Sequence, residues 1–103
     1  MKIPQRTGVF NNMATDIIKT LSERGLTYGE YKDVSRISQV IKEAMRNGAS
    51  YSILSNEAYE SLDMIANKLA RIVNGDPNYL DSWVDIVGYT TLVINKLEGT
   101  ANK

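Results

Sequence analysis

Hydrophobic residues recur along the chain at three- and four-residue spacing, which predicts α-helices rather than strands. In the first such stretch, Met13, Ile17 and Leu21 lie one helical turn apart. A glycine follows each helical stretch, and glycine is the favoured left-handed residue just after a helix. These glycines are Gly25, Gly48, Gly75 and Gly99. We therefore predict an all-α protein whose four helices form a four-helix bundle.

Capping residues set the expected bounds of these helices. Asn11 or Asn12 begins the first, Ser55 caps the third, and Asp76 with Pro77 begins the fourth. Residues 24–31 and 48–54 are expected to be loops. One helical domain then spans residues 11–98, between flexible ends at residues 1–10 and 99–103.

Composition narrows the chemistry that this domain can perform. The 103 residues include 12 basic and 12 acidic side chains, no His and no Cys. Disulfides, thiolate zinc sites and histidine general bases are therefore excluded. A net charge of zero argues against non-specific nucleic-acid binding. No apolar run is long enough to span a membrane and no signal peptide is visible, so we expect a soluble cytoplasmic protein.

The third and fourth helices each carry an acidic side opposite the side expected to form the core. On the fourth helix, the predicted core side consists of Trp83, Ile86, Val87, Val93, Ile94 and Leu97. Its opposite side mixes Asp85 with Tyr89 and contains Gly88, which is unfavourable in mid-helix. The simple interpretation is a solvated polar face. The alternative, which we favour, is a second packing surface, namely a subunit interface of a homo-oligomer with a pocket along it.

Carboxylates on these neighbouring helices make a candidate site for Mg²⁺, which prefers oxygen ligands. The candidate metal ligands are Glu60, Asp63, Asp81 and Asp85. Cations and aromatic rings nearby suit a phosphorylated nucleotide, because Arg and Lys bind phosphate and Tyr stacks on a base. The candidate ligand-binding residues are Arg24, Tyr28, Tyr31, Asn67, Lys68, Arg71 and Tyr89. Ordinary packing is the better explanation of each tyrosine taken singly, and solvation is the better explanation of the acids on one isolated helix.

Two family resemblances accompany these residues. The acids of residues 56–60 and 81–85 resemble the acidic motif of MazG-like all-α nucleoside triphosphate pyrophosphohydrolases, although Asn56 replaces the first Glu. Residues 23–31, 60–72 and 75–89, in that order, look like a family of small uncharacterised bacteriophage proteins. The second resemblance implies a helical fold, phage origin and the cytoplasm of an infected bacterial host, and it hints at nucleotide-related ligands.

Three functions follow as hypotheses. The first, which we favour, is a phage protein that sequesters a phosphorylated nucleotide, such as a host immune signal, in pockets between subunits. The second is a Mg²⁺-dependent nucleotide pyrophosphohydrolase, whose metal Glu57 would also help to hold. The third is a structural or protein-inhibiting helical oligomer.

Overall fold

The computed structural model describes residues 7–99, with side chains from residue 13 onward. This part of the chain is helical and contains no strand, which confirms the all-α class and the number of α-helices. The helices are α1 (Thr7–Tyr28), α2 (Tyr31–Arg46), α3 (Asn56–Asn74) and α4 (Leu80–Glu98). A short 3₁₀ helix, Tyr51–Ile53, lies inside the predicted 48–54 loop.

The end of α1 differs from the prediction. The helix continues through Gly25 to Tyr28, so most of the predicted 24–31 loop is helical. Its left-handed cap is Gly29, with φ of 82°, whose N–H donates to the Gly25 carbonyl at 2.9 Å. Gly25 was the wrong choice of cap because two glycines lie four residues apart, and only the second one is needed with positive φ.

The other capping predictions have mixed outcomes. Ser55 caps α3 as predicted, since its hydroxyl accepts a hydrogen bond from the Ala58 N–H at 3.1 Å. Gly99 follows α4 in the left-handed conformation, with φ of 69°. Asp76 does not cap α4, because its carboxylate accepts from the Asn78 N–H at 2.9 Å and stabilises a turn instead. Helix α4 therefore begins at Leu80.

Helix α3 is the centre of the fold. Helices α2 and α4 pack on it and do not contact each other, while α1 touches α2 and α3 but not α4 within the described chain. The polar contacts of α1 with the rest of the chain lie at its C-terminal end. The four helices thus form an open layer with one projecting helix, rather than the closed bundle that we predicted.

Small residues allow the helices to approach α3 closely. The apolar side chains that are buried are Val34, Ala66, Ala70 and Ile72. Three serines, Ser38, Ser61 and Ser82, are also buried in the described part of the chain. Alanine and serine bring helices together but bury little apolar area, so this core contributes modest stability.

The orientation of α4 is a correction to the prediction. The predicted core residues Trp83, Val87 and Ile94 are exposed, and Trp83 retains 50% of its accessible surface. Ser82 is buried and Asp85 and Tyr89 are half-buried, as are Ile86 and Val93 of the predicted core side, so the side that faces α3 includes Asp85 and only part of the predicted core. The prediction failed because α4 is apolar on two sides, and hydrophobic spacing does not say which side packs within the chain.

The ends of the domain fall partly outside the described residues. Helix α1 already begins at Thr7, earlier than the predicted start at residues 11–12. The remaining residues of the two predicted flexible segments lie outside residues 7–99, except Gly99, which caps α4. Among the helices described here, none has the length and apolar character needed to cross a membrane.

Candidate functional site

The C-terminal end of α1 docks on the connection between α3 and α4. The Asp76 N–H donates to the Thr27 carbonyl at 2.6 Å, and the Asn74 side-chain amide donates to the Tyr28 carbonyl at 3.0 Å. The backbones meet so closely that a Cβ at Gly75 would collide with backbone atoms of Thr27 and Tyr28. Glycine at position 75 therefore permits the joint that fixes the position of Tyr28.

Next to this joint, a cation and two aromatic rings form a cluster. The Arg71 guanidinium lies over the Tyr28 ring, 4.5 Å from its centroid, in a cation–π contact. The rings of Tyr28 and Tyr79 meet edge to face, with their centroids 5.8 Å apart. We call Tyr28, Arg71 and Tyr79 the Tyr–Arg cluster. It joins three elements: the end of α1, α3 and the residue that precedes α4.

Negative charge lies at one end of the Tyr–Arg cluster. The Tyr79 hydroxyl donates to the Asp81 carboxylate at 3.4 Å, a long hydrogen bond. The negative charge of nearby Asp81, followed by the electrostatic effect of Tyr28, raises the pKa of Tyr79 above its ordinary value. Tyr79 therefore keeps its proton at neutral pH and acts here as a donor rather than as a base.

Lys68 and Asp85 connect α3 to α4 beside the cluster. The Lys68 ammonium lies 3.1 Å from the Asp85 carboxylate. Lys68 is 8% exposed, whereas the Asp85 side chain retains 45% of its surface. A buried ammonium needs a partner, because desolvating an unpaired charge is costly. This pair therefore gives both residues a structural role, where the sequence had suggested phosphate binding for Lys68 and metal binding for Asp85.

The predicted magnesium ligands do not gather within one chain. In residues 13–99, no three His, Cys, Asp or Glu side chains are close enough to hold one metal ion. Asp85 is paired with Lys68, and Asp81 contacts Tyr79. Glu60 is exposed on α3 and Asp63 is half-buried there. Glu57 forms an ion pair with Lys96 of α4 at 2.6 Å, which lowers the pKa of that carboxyl group.

The structure brings together two of the predicted ligand-binding residues, Tyr28 and Arg71, and places Lys68 one turn from Arg71 on α3. Arg24 is exposed on α1, where it lines a shallow depression with Asp16 and Leu21. Tyr31 is exposed at the start of α2, and Asn67 and Tyr89 are half-buried on α3 and α4. No ion pair or ring contact between described residues joins these four residues to the Tyr–Arg cluster, although Arg24 lies one helical turn from Tyr28 and Asn67 one turn from Arg71.

Sequence reasoning missed two residues of this region. Tyr79 is one of the six tyrosines of the chain. Its contact with Tyr28 depends on the turn at Asp76 that returns the chain toward Tyr28, and residue type does not reveal this. Asn74 joins α3 to α1 across 46 residues of sequence. The available signal was glycine at positions 29 and 75, because glycine permits close backbone approach; from the sequence we interpreted Gly75 only as a helix cap.

A separate apolar groove of about 600 Å³ lies at the other end of α3. The 3₁₀ segment, α3 and the C-terminal half of α4 form its walls, which include Ile53, Leu62 and Val93. Lys96, the partner of Glu57, lies at its edge. The cation of this groove is thus already paired, whereas Arg71 takes part in none of the ion pairs between described residues.

A family model described as a domain of unknown function, DUF6378, matches residues 12–96 of the chain. Because this match covers most of the sequence, the chain belongs to the DUF6378 family. The matched segment contains the joint, the Tyr–Arg cluster and the Lys68–Asp85 pair. No curated protein and no solved structure matches the chain.

Proposed function

We propose that this protein is a bacteriophage product that binds a phosphorylated nucleotide through the Tyr–Arg cluster and sequesters it without turnover. In an infected bacterium it would act in the host cytoplasm, where removal of a nucleotide immune signal blunts defence. The resemblance of residues 23–31, 60–72 and 75–89 to small phage proteins supports the viral setting.

The observation that carries the proposal is Arg71 over the Tyr28 ring, with no carboxylate partner for Arg71 among the described residues. A cation–π contact uses the positive charge of the guanidinium but leaves its N–H donors available. Those donors fit the oxygens of a phosphate in forked geometry. The adjacent tyrosine rings supply stacking surface for a base. The proposal includes a homo-oligomer, because one open layer of helices leaves the cluster on a surface rather than in an enclosed pocket.

The pyrophosphohydrolase hypothesis lacks comparable support. The carboxylates that would hold its metal do not meet among the described residues of one chain, so the hydrolase would need metal ligands from a second copy. Incubation of the pure protein with a nucleotide panel, with and without Mg²⁺, separates the hypotheses when the products are read by chromatography. We expect a nucleotide that is retained in both conditions and recovered intact after heat denaturation. Cleavage of any nucleotide would establish the hydrolase instead.

Titration calorimetry with the retained nucleotide tests the site. We expect Arg71→Ala to weaken binding at least about tenfold, corresponding to roughly 1.4 kcal/mol, because one phosphate partner is lost. Arg36→Ala is the matched control, since Arg36 lies on α2 and pairs with Asp33. Asp81→Asn should strengthen binding by removing a negative charge. Equal affinities of Arg71→Ala and wild type would exclude the Tyr–Arg cluster as the site, and no binding of any nucleotide would favour a structural role.

A further inference from the structure

Two helical faces of this chain are apolar, and no element of the described residues covers them. We call the first the α1 stripe, and it consists of Met13, Ile17, Ile18 and Leu21. We call the second the α4 outer face, on the side away from α3, and it consists of Leu80, Trp83, Val84, Val87, Thr91 and Ile94. The large apolar members keep about half to two thirds of their surface exposed. Single exposed apolar residues are common, but two continuous stripes mark interaction surfaces.

The polar groups of the α4 outer face are already satisfied within the chain. The Trp83 indole N–H donates to the Pro77 carbonyl at 2.9 Å. The Thr91 hydroxyl donates to the Val87 carbonyl at 2.7 Å, so this residue presents its methyl group outward. A face without free donors can be buried against apolar side chains without a desolvation penalty. These hydrogen bonds favour an apolar protein partner over a polar small molecule.

The chain is also extended for its length and has a small buried core. Its radius of gyration is 18.2 Å, whereas a compact domain of about 100 residues has a value near 13 Å. Among residues 13–99, four buried apolar residues, two of them alanines, form the core. A second copy would supply the missing burial, and the net charge of zero means that copies do not repel each other at long range.

We infer that the α1 stripe of one copy packs on the α4 outer face of a second copy, and that the reciprocal contact closes a symmetric pair. This inference rests on the homo-oligomer that the proposed function includes, and it identifies the two surfaces through which the copies meet. Together the two faces offer on the order of 1,000 Å² of apolar surface per chain, comparable to the roughly 800 Å² that each partner buries in a standard stable interface. Because α1 does not contact α4 within a chain, the two stripes are free to pair between chains.

Analytical ultracentrifugation of the nucleotide-free protein tests the inference. We expect wild type to sediment as a dimer or a multiple of it. Ile17→Glu on the α1 stripe and Val87→Asp on the α4 outer face should each shift it to monomer by placing a charge in the interface. Val40→Asp is the matched control, because Val40 on α2 is 59% exposed and Val87 is 65% exposed. The control should sediment as wild type.

Rescue by opposite charges distinguishes a broken interface from a misfolded chain. Ile17→Glu and Val87→Lys chains should each be monomeric alone and should associate when mixed, since one of the two reciprocal contacts then pairs opposite charges and the other is native. A wild-type oligomer that both single variants leave intact would overturn the named surfaces but not the oligomer. A monomeric wild-type protein would overturn both.

Discussion

The two ends of α1 are held in different ways. At its C-terminal end, directional hydrogen bonds and close backbone approach at Gly75 fix the helix on the α3–α4 connection. Two to four turns earlier, the side chains of the α1 stripe keep more than half of their surface exposed in the described part of the chain. Polar geometry therefore sets where the helix points, whereas its apolar side chains remain to be covered. The contrast teaches that the joint is specified within the chain, whereas the α1 stripe stays exposed among the described residues; we propose that a second copy covers it.

The sharpest way to break the joint is Gly75→Ala. Its added Cβ would meet backbone atoms of Thr27 and Tyr28, which cannot move aside as a flexible side chain can. We expect the free energy of unfolding to fall by about 3 kcal/mol, the upper range for overpacking. Chemical denaturation followed by circular dichroism measures this change. A variant as stable as wild type would show that the α1–α3 joint does not have the described geometry.

The Lys68–Asp85 pair links α3 and α4 beside that joint. Asp85→Ala should destabilise the protein by about 2 kcal/mol, because it leaves the buried Lys68 ammonium without its partner. Lys68→Met should cost less, since a thioether chain fills the same space and the half-exposed Asp85 is hydrated. Thermal unfolding of the two variants checks the order, and a larger loss for Lys68→Met would contradict the structural role of Asp85.

Substitution of Gly25 in α1 should change stability in the opposite direction to substitution of Gly75. Gly25 lies inside α1, and a Cβ there meets no atom within 4 Å. Gly25→Ala should therefore stabilise the protein by up to about 1 kcal/mol through helix propensity. The measurement is the denaturation midpoint beside that of Gly75→Ala. A loss of stability would indicate that another chain approaches Gly25 closely.

Gly88 gives the parallel comparison on α4. Its open surroundings within one chain do not support the close approach that its mid-helix position suggested. If Gly88→Ala is less favourable than Gly25→Ala in the assembled protein, a partner lies near Gly88. Equal gains at both positions would leave the glycine as an ordinary helix weakness.

The smallest predicted effect is the contribution of Glu57 to the loss of stability at low pH. The pKa of Glu57 is lowered mainly by its hydrogen bond to Lys96, so the folded state favours the ionised carboxylate. The unfolded chain binds a proton at Glu57 more readily than the folded chain does. The ionised carboxylate therefore stabilises the fold above the ordinary pKa of 4.5. This stabilisation is lost as the pH falls through the lower pKa that Glu57 has in the folded state. Melting temperatures measured from pH 7 to pH 3 should fall slightly less for Glu57→Gln than for wild type. Parallel curves would show that the exposed pair contributes nothing measurable.

The sequence predicted helices and local caps better than it predicted packing. The Ser55 cap depends on neighbours within a turn, so residue type alone was sufficient. The orientation of α4 depends on which of two apolar sides meets α3, and Trp83 was placed wrongly because its spacing put it on the side that we predicted to form the core. Long-range contacts such as Asn74 with Tyr28 left no periodic trace.

In the candidate site too, residue type was predictive and helix packing was not. Tyr28 and Arg71 were singled out by residue type, and the structure brings them together. Lys68 and Asp85 were also singled out, but each is the partner of the other. Their pairing requires α3 and α4 to meet on the acid-bearing side, which the predicted orientation of α4 did not allow. Residue chemistry therefore located the region, and helix orientation decided which groups remain available.

Trp83 fluorescence gives the most direct test that the two apolar faces meet between copies. Trp83 is the single tryptophan and lies on the α4 outer face, which α1 of its own chain does not contact. Packing of a second copy's α1 stripe would bury it, so Ile17→Glu should shift its emission to longer wavelength while Val40→Asp leaves it unchanged. Identical emission spectra for Ile17→Glu and wild type would contradict the pairing.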